Sequence, residues 1–463
     1  MWHGRDSTAF GSEAQARREL AEVARPWATL PIEHQAASHI TTFKMRRKSV
    51  LVISQTFVPD PASVGQHMSD VALELARRGY RVRVYASARG YEDASVKYPL
   101  KENLHGVEIR RLPLASFGKK SIALRVLGTA MFMIQCLLFG LFEPNLDAIF
   151  FSTSPPLIGI IASIIHIFRG VPLAYWAMDL NPDQLIALGK LKPTSMVARL
   201  LETANRIILR ESSLVVALDR FMADRLERRG TRLRERMLVM PPWPHEDHIE
   251  VDNGENPFRL RHGLVGKRVV MYSGNHSPSN PLSTLLEAAV HFKDDALLHF
   301  VFVGGGSGKK EVEGFISEHH LKNMISLPYQ PLGELGNSLS AADVHVVALG
   351  ENMVGIIHPC KIYGAMAVAR PILYVGPWPS HVCDILDRQP IGWRIAHGDR
   401  EGAIDILRTI RSADPQALAE MGGAARRTLR RELSQQTLCA RLCDAFDATI
   451  RRRTHAQECR SCG

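Results

Sequence analysis

Short apolar runs rich in β-branched residues recur along this chain, each followed by a turn and a helical stretch, and that alternation leaves few folds open. Ser49-Val50-Leu51-Val52-Ile53 leads through the loop Gln55 to Gly65 into a helix with Met68, Val71, Ala72 and Leu75 on one face, and Gly79 stops that helix. Arg81 to Tyr85 alternates as the next strand, so the opening is a βαβ unit of the doubly wound kind. Further strands are expected at Ala148 to Phe151, Leu173 to Met178 and Leu214 to Leu218. Pro241-Pro242-Trp243-Pro244 interrupts the pattern and suits neither a central strand nor a helix, which marks a domain boundary. The alternation then resumes, with strands expected at Val269 to Tyr272, Leu297 to Val303, Val344 to Leu349 and Ile372 to Val375. The fold class expected is therefore α/β, with two doubly wound parallel-sheet domains facing across a cleft.

The domains are read as an extension over residues 1–44, an N-terminal domain over 45–240 and a C-terminal domain over 241–433. A helix over 434–453 is expected to pack back toward the first domain, ahead of a tail over 454–463. The polar extension lacks the apolar core of a secretion signal. An excess of 57 basic over 47 acidic residues gives a net charge of +10, which suits a partner bearing phosphates. The basic groups are scattered without aromatic interleaving, so nucleic acid is not the expected partner. Seven cysteines spread over 463 residues form no disulfide framework and point to a reducing compartment. Cys459 and Cys462 make a single C-x-x-C with no second pair, read as part of the tail. No Asp-x-Asp triplet or Gly-x-Ser-x-Gly elbow occurs, and no metal is expected.

Val126 to Phe142 is almost wholly apolar and follows Lys119, Lys120 and Arg125. It is slightly short for a span, which takes about 20 apolar residues. A helix lying in the cytosolic lipid surface is expected, with a buried helix behind the sheet as the alternative.

Several turns at strand ends suit phosphate. Lys361, in His358-Pro359-Cys360-Lys361-Ile362-Tyr363-Gly364, stands at a loop-to-helix corner ahead of the strand at Ile372. Gly304, in Gly304-Gly305-Gly306-Ser307-Gly308-Lys309-Lys310, ends a strand, but the segment lacks the spacing of a P-loop or a dinucleotide fingerprint. Gly274, Asn275 and Asn280 follow another strand and admit a diphosphate closely, and a simple capped loop fits these residues equally well. Gly65, Gln66 and His67 occupy the first strand-to-helix loop, where His67 suits either a sugar or phosphate contact or a plain helix start. Asp179, at a strand end, suits a base for an acceptor hydroxyl and equally an N-cap or loop brace.

Together, Phe57 to Gln66, Ala177 to Pro182, Tyr272 to Asn275, Leu327 to Pro331 and Pro359 to Gly364 resemble GT-B glycosyltransferases of family 4, especially the colanic-acid and O-antigen branch. The resemblance implies two Rossmann-like domains and metal-independent, retaining transfer of a hexose from a UDP- or GDP-sugar to a lipid-linked or growing glycan acceptor. It places the donor in the C-terminal half, with Leu327 and Tyr329 beside the base and Lys361 near the phosphates, and the acceptor in the N-terminal half. It further implies a cytoplasmic enzyme peripheral on the inner face of the plasma membrane. The two glutamates common in relatives align with Ile356 and Gly364, the basic pair that commonly meets pyrophosphate aligns with Asn275 and Asn280, and the usual Trp beside the Asp-Leu element is Asn181. A sugar-nucleotide epimerase and a catalytically silent glycan-assembly subunit are the rival expectations.

Overall fold

The computed structural model describes residues 46–60, 62–90, 95–115, 122–230, 232–244 and 250–461. The expected extension, Lys119, Lys120 and Cys462 lie outside them. Eight strands form the first sheet: β1 (Ser49–Ile53), β2 (Arg81–Ser87), β3 (Lys101–Leu104), β4 (Val107–Leu112), β5 (Leu146–Ser152), β6 (Leu173–Trp176), β7 (Leu214–Ala217) and β8 (Met237–Val239). Their order is β3-β4-β2-β1-β5-β6-β7-β8, parallel throughout except for the β3–β4 pair. The central strands are buried on both faces, as helices covering each side of a parallel sheet require.

The second sheet has six parallel strands in the order β11-β10-β9-β12-β13-β14. These are β9 (Arg268–Ser273), β10 (Leu298–Val303), β11 (Met324–Leu327), β12 (Val344–Ala348), β13 (Ile372–Val375) and β14 (Gly392–Ile395). In each sheet the strand order reverses beside the first strand of its domain, which opens a crevice at the carboxyl ends of the strands.

The helices that shape the site are α1 (Ser63–Arg77), α2 (Ile122–Leu141), α3 (Ile158–Arg169), α4 (Met196–Glu211), α5 (Arg220–Glu227), α6 (Lys361–Ala367), α7 (His381–Arg388), α8 (Pro415–Glu432) and α9 (Gln435–Ser461). The Pro-rich crossing segment is anchored rather than loose: Trp243 is buried, and its indole donates to Asp70 of α1 at 2.7 Å. Helix α9 returns to the first domain, where Arg78 donates to Asp444 and Asp447 at 2.7 and 2.9 Å and the Phe446 ring lies 5.6 Å from that of Phe150. One apolar cluster consequently runs from β1 through Trp243 to Ile362 and Tyr374.

Helix α2 is long and apolar enough to cross a membrane by length and composition. Only one stripe of it, Gly128, Phe132, Cys136 and Gly140, is buried. The stripe locks onto α3, since a Cβ at Gly140 would come within 2.4 Å of the Ile165 side chain. Val126, Leu127, Ile134, Leu138 and Phe142 face outward, with Phe142 81% exposed, and Ile167 and Phe168 of α3 extend the same open apolar surface. A helix bound along one stripe into a folded domain would have to leave that domain to span a bilayer.

Candidate active site

The donor-side residues converge on Gly274. It follows β9 with φ +137°, a conformation L side chains rarely adopt, and the Lys361 Cε lies 2.4 Å from where a Cβ would stand, so the glycine leaves that lysine room to cross the turn. Gly304 follows β10 with φ +135° and leaves no room for a side chain, because its Cβ would stand 2.0 Å from the carbonyl oxygen of Gly274. The register Val303–Ser273 and Val303–Leu327 brings Gly274, Gly304 and Leu327 side by side at the strand ends. Lys309 does not point into the crevice: its Nζ donates to the carbonyls of Gly304 and Leu327 at 2.8 Å each and ties the two loops together. Tyr329, 59% exposed, lies against Gly305.

Lys361 itself makes no hydrogen bond or ion pair with the described residues. Its Nζ sits 5.1 Å from the centroid of the Tyr272 ring. Burial lowers its pKa to about 8. Partly open to solvent yet densely surrounded by protein, and without a carboxylate partner among the described residues, this cation is held at a desolvation cost that an anionic ligand would relieve. The expected consequence is that nucleotide affinity is highest below pH 8 and declines as pH rises through that value, although the diphosphate ester keeps its charge. Calorimetric titration of UDP- and GDP-hexoses between about pH 6.5 and 9.5 checks this.

Across the crevice, Asp179 follows β6. It is open to solvent yet densely surrounded by protein, as a residue on a cleft floor is, and burial raises its pKa. It caps no helix and makes no hydrogen bond with the described residues. Its neighbour across the domain boundary is Cys360, likewise open to solvent yet densely surrounded by protein, whose thiol is pushed up by that surrounding first and then by the Asp179 carboxylate. Asp179 also lines a small cavity of about 40 Å³ with Ser152, Tyr175, Asn205 and Arg229, and there the buried Ser152 Oγ and Arg229 Nη1 lack partners among the described residues.

The remaining expected residues serve the frame. His67 is buried, its ring nitrogens face the carbonyls of Ser63 and Trp243 at 2.8 and 3.0 Å, and burial lowers its pKa to about 4. Packed between Trp176 and Trp243, it braces the crossing segment instead of offering a nitrogen to phosphate. Gly65 lets α1 start against the backbone of Thr56 and Phe57, where its Cβ would lie 3.0 Å from the Phe57 nitrogen. Gln66, the next residue, is half-buried. Asn280 donates to Ser277 Oγ at 3.1 Å, a local loop bond. The Asn275 carbonyl accepts from the Tyr272 hydroxyl at 2.7 Å.

Sequence reading missed two features. His276 is buried against the Tyr272 ring, and both of its ring nitrogens lack hydrogen-bond partners among the described residues. Asp219, His358 and His381 also gather, with one ligand-type atom from each within 4.8 Å of the others. No spacing in the sequence announces that group, because Asp219 and His358 are 139 residues apart.

Two facing Rossmann-like lobes, with strand-end glycines and an unpaired lysine on one side and a free carboxylate on the other, define the GT-B class of glycosyltransferases. Residues 63–243 match the glycosyl transferase 4-like domain, so that part of the chain is similar to family 4 of that class. The chain is 26% identical over 290 residues to the glycosyltransferase WbjE of Pseudomonas aeruginosa, covering 62% of this chain and 71% of that protein. It is 23% identical over 340 residues to the colanic acid biosynthesis glycosyl transferase WcaI of Escherichia coli (strain K12), covering 69% and 81%. Among solved structures, Anabaena HepE in complex with UDP-glucose superposes with a TM-score of 0.63 at 16% identity, covering 86% of this chain and 99% of that one.

Proposed function

We propose that this glycosyltransferase moves a hexose from a UDP- or GDP-sugar to a lipid-linked or growing surface-polysaccharide acceptor, with retention and without a metal. The observation that carries the reading is Lys361, a half-buried cation with no anionic partner among the described residues, reaching across Gly274 into the crevice. The names of the relatives place them in glycan assembly, and the HepE complex holds UDP-glucose. In the transfer, the acceptor oxygen bonds to the anomeric carbon as the bond from that carbon to phosphate breaks. The electron pair leaves with the diphosphate, and the acceptor proton passes to a phosphate oxygen or to Asp179. Lys361 stabilises the departing charge, which is where a GT-B site does most of its catalytic work.

Incubation with UDP- and GDP-hexoses and a membrane extract, followed by release of UDP or GDP and the anomeric configuration of the product, tests the reading. Donor conversion without an acceptor would instead indicate an epimerase, and absence of nucleotide binding would indicate a silent subunit.

The same reading puts the enzyme on the cytosolic face of the plasma membrane, with the outward residues of α2 and α3 set into the lipid. Ile134→Asp with Leu138→Asp alters only exposed positions, so the fold is expected to persist while affinity for vesicles containing anionic lipid falls at least about tenfold. Vesicle co-sedimentation of the variant at wild-type levels would count against that orientation.

A further inference from the structure

A hydrogen-bonded chain of four side chains crosses the domain boundary and passes through the helix that carries Lys361. Asp219 closes β7 and caps α5, with one carboxylate oxygen accepting from the Met222 amide at 2.8 Å and the other facing His358 Nδ1 at 3.0 Å. His358 Nε2 lies 2.7 Å from the Tyr363 hydroxyl, which in turn lies 3.0 Å from His381 Nε2. Asp219, His358 and Tyr363 are buried. Asp219 belongs to the first domain, and His358, Tyr363 and His381 belong to the second.

The order of protons along the chain follows from its one anion. Burial alone would raise the pKa of Asp219, but the hydrogen bond from His358 and the neighbouring histidines outweigh it and hold the carboxyl below its usual range. A carboxylate only accepts, so His358 carries a proton on Nδ1, and in the neutral imidazole its Nε2 presents a lone pair. Tyr363 must then donate to His358 and accept from His381 Nε2–H. Burial keeps His381 neutral, with a pKa lowered to about 3, which agrees with that arrangement. A single carboxylate therefore fixes two tautomers and a hydroxyl rotor.

The second domain meets the first through the same loop. Leu180 N donates to the Ile356 carbonyl at 3.1 Å, Arg225 donates to the Val354 carbonyl at 3.2 Å, and Arg220 forms two bonds to Asp384 of α7 at 2.7 and 2.8 Å. Of these links, the Asp219 chain alone runs on through buried hydrogen bonds to Tyr363, two residues beyond Lys361 on α6. Any state in which the domains part lacks the Asp219–His358 bond.

We propose that Asp219, His358, Tyr363 and His381 are positioning residues that couple closure of the cleft to the placement of Lys361 for transfer. This rests on the glycosyltransferase reading above. Its action belongs to the closed, reacting complex, so it governs turnover more than the capture of nucleotide by the second domain alone.

Asp219→Asn tests it cleanly, because asparagine remains a good helix cap while its amide presents a donor that upsets the proton order. Tyr363→Phe keeps the buried ring and removes the middle of the chain. For each variant we expect kcat, read as UDP or GDP release from a UDP- and GDP-hexose panel with membrane extract, to fall about 10- to 100-fold, with UDP affinity by calorimetry within about threefold of wild type. The double variant is expected to be no slower than the worse single one, since both break a single device. Unchanged kcat in a folded Asp219→Asn protein, or multiplicative losses in the double variant, would overturn the coupling while leaving the glycosyltransferase reading intact. Failure of the wild-type enzyme both to bind UDP or GDP and to release either from the panel would overturn that reading and the coupling with it.

Discussion

Lys361→Met is expected to weaken UDP or GDP binding by about 1.5–3 kcal/mol, roughly 10- to 150-fold, the range for a lost charge-assisted hydrogen bond in a desolvated site. Methionine keeps the length that crosses Gly274 and packs beside Tyr272, so the loss reports on charge rather than on a collapsed turn. The same substitution is expected to raise thermal stability slightly in the absence of ligand. Burial lowers the lysine to about 8, from about 10.5 in the unfolded chain. Between those two values the unfolded chain holds the proton and the folded chain does not, so this group's contribution to stability rises with pH across that window. Below pH 8 both states are protonated, and the folded state carries the full cost of its half-buried charge. The methionine variant should therefore show its stability advantage at pH 7 and lose it toward pH 10. Calorimetric affinity and melting curves at both pH values check the two halves, and unchanged nucleotide affinity in a folded variant would remove Lys361 from the donor site.

What the sequence disclosed and what it hid divide along a physical line. The strands it made legible, among them β1, β9, β12 and β13, lie inside the sheets, where both faces are covered and most positions are apolar. The strands it concealed include β3, β8, β11 and β14, the four sheet edges. An edge strand borrows its place from one neighbour, so Lys101-Glu102-Asn103-Leu104 carries no apolar signature at all. The site divides in the same way. Gly274, Gly304 and Lys361 stand at turns next to readable strands, so local chemistry betrays them. Whether Asp179 capped a helix or stood free depended on what surrounds it, which local sequence does not encode. His67 read as a possible ligand because its engagement with the Trp243 carbonyl spans 176 residues. The Asp219 chain was invisible for the same reason: its residues are ordinary until the two domains bring them together.

The glycines of the donor crevice are expected to tolerate substitution worst of all. Gly304→Ala combines a backbone at φ +135°, which L-residues rarely adopt, with a Cβ placed 2.0 Å from the Gly274 carbonyl oxygen. Backbone strain of this kind costs about 1–3 kcal/mol before the collision is counted. The obstacle is backbone, so no side-chain rotation relieves it, and β9 and β10 must separate at their ends. A total near 3 kcal/mol or more is expected to lower the melting temperature of the second domain by about 5–10 °C. The damage reaches Lys361 as well, because the turn being displaced is the one the lysine crosses, so nucleotide affinity should fall along with stability. Gly314→Ala supplies the contrast: it sits on the exposed face of the helix Lys309–Glu318, nothing lies within 4 Å of its added Cβ, and alanine there should stabilise by about 0.5–1 kcal/mol. A Gly304→Ala protein that melted and bound UDP like wild type would mean that the two loops do not meet as described, and with them would go the crevice that brings Lys361 to the phosphates.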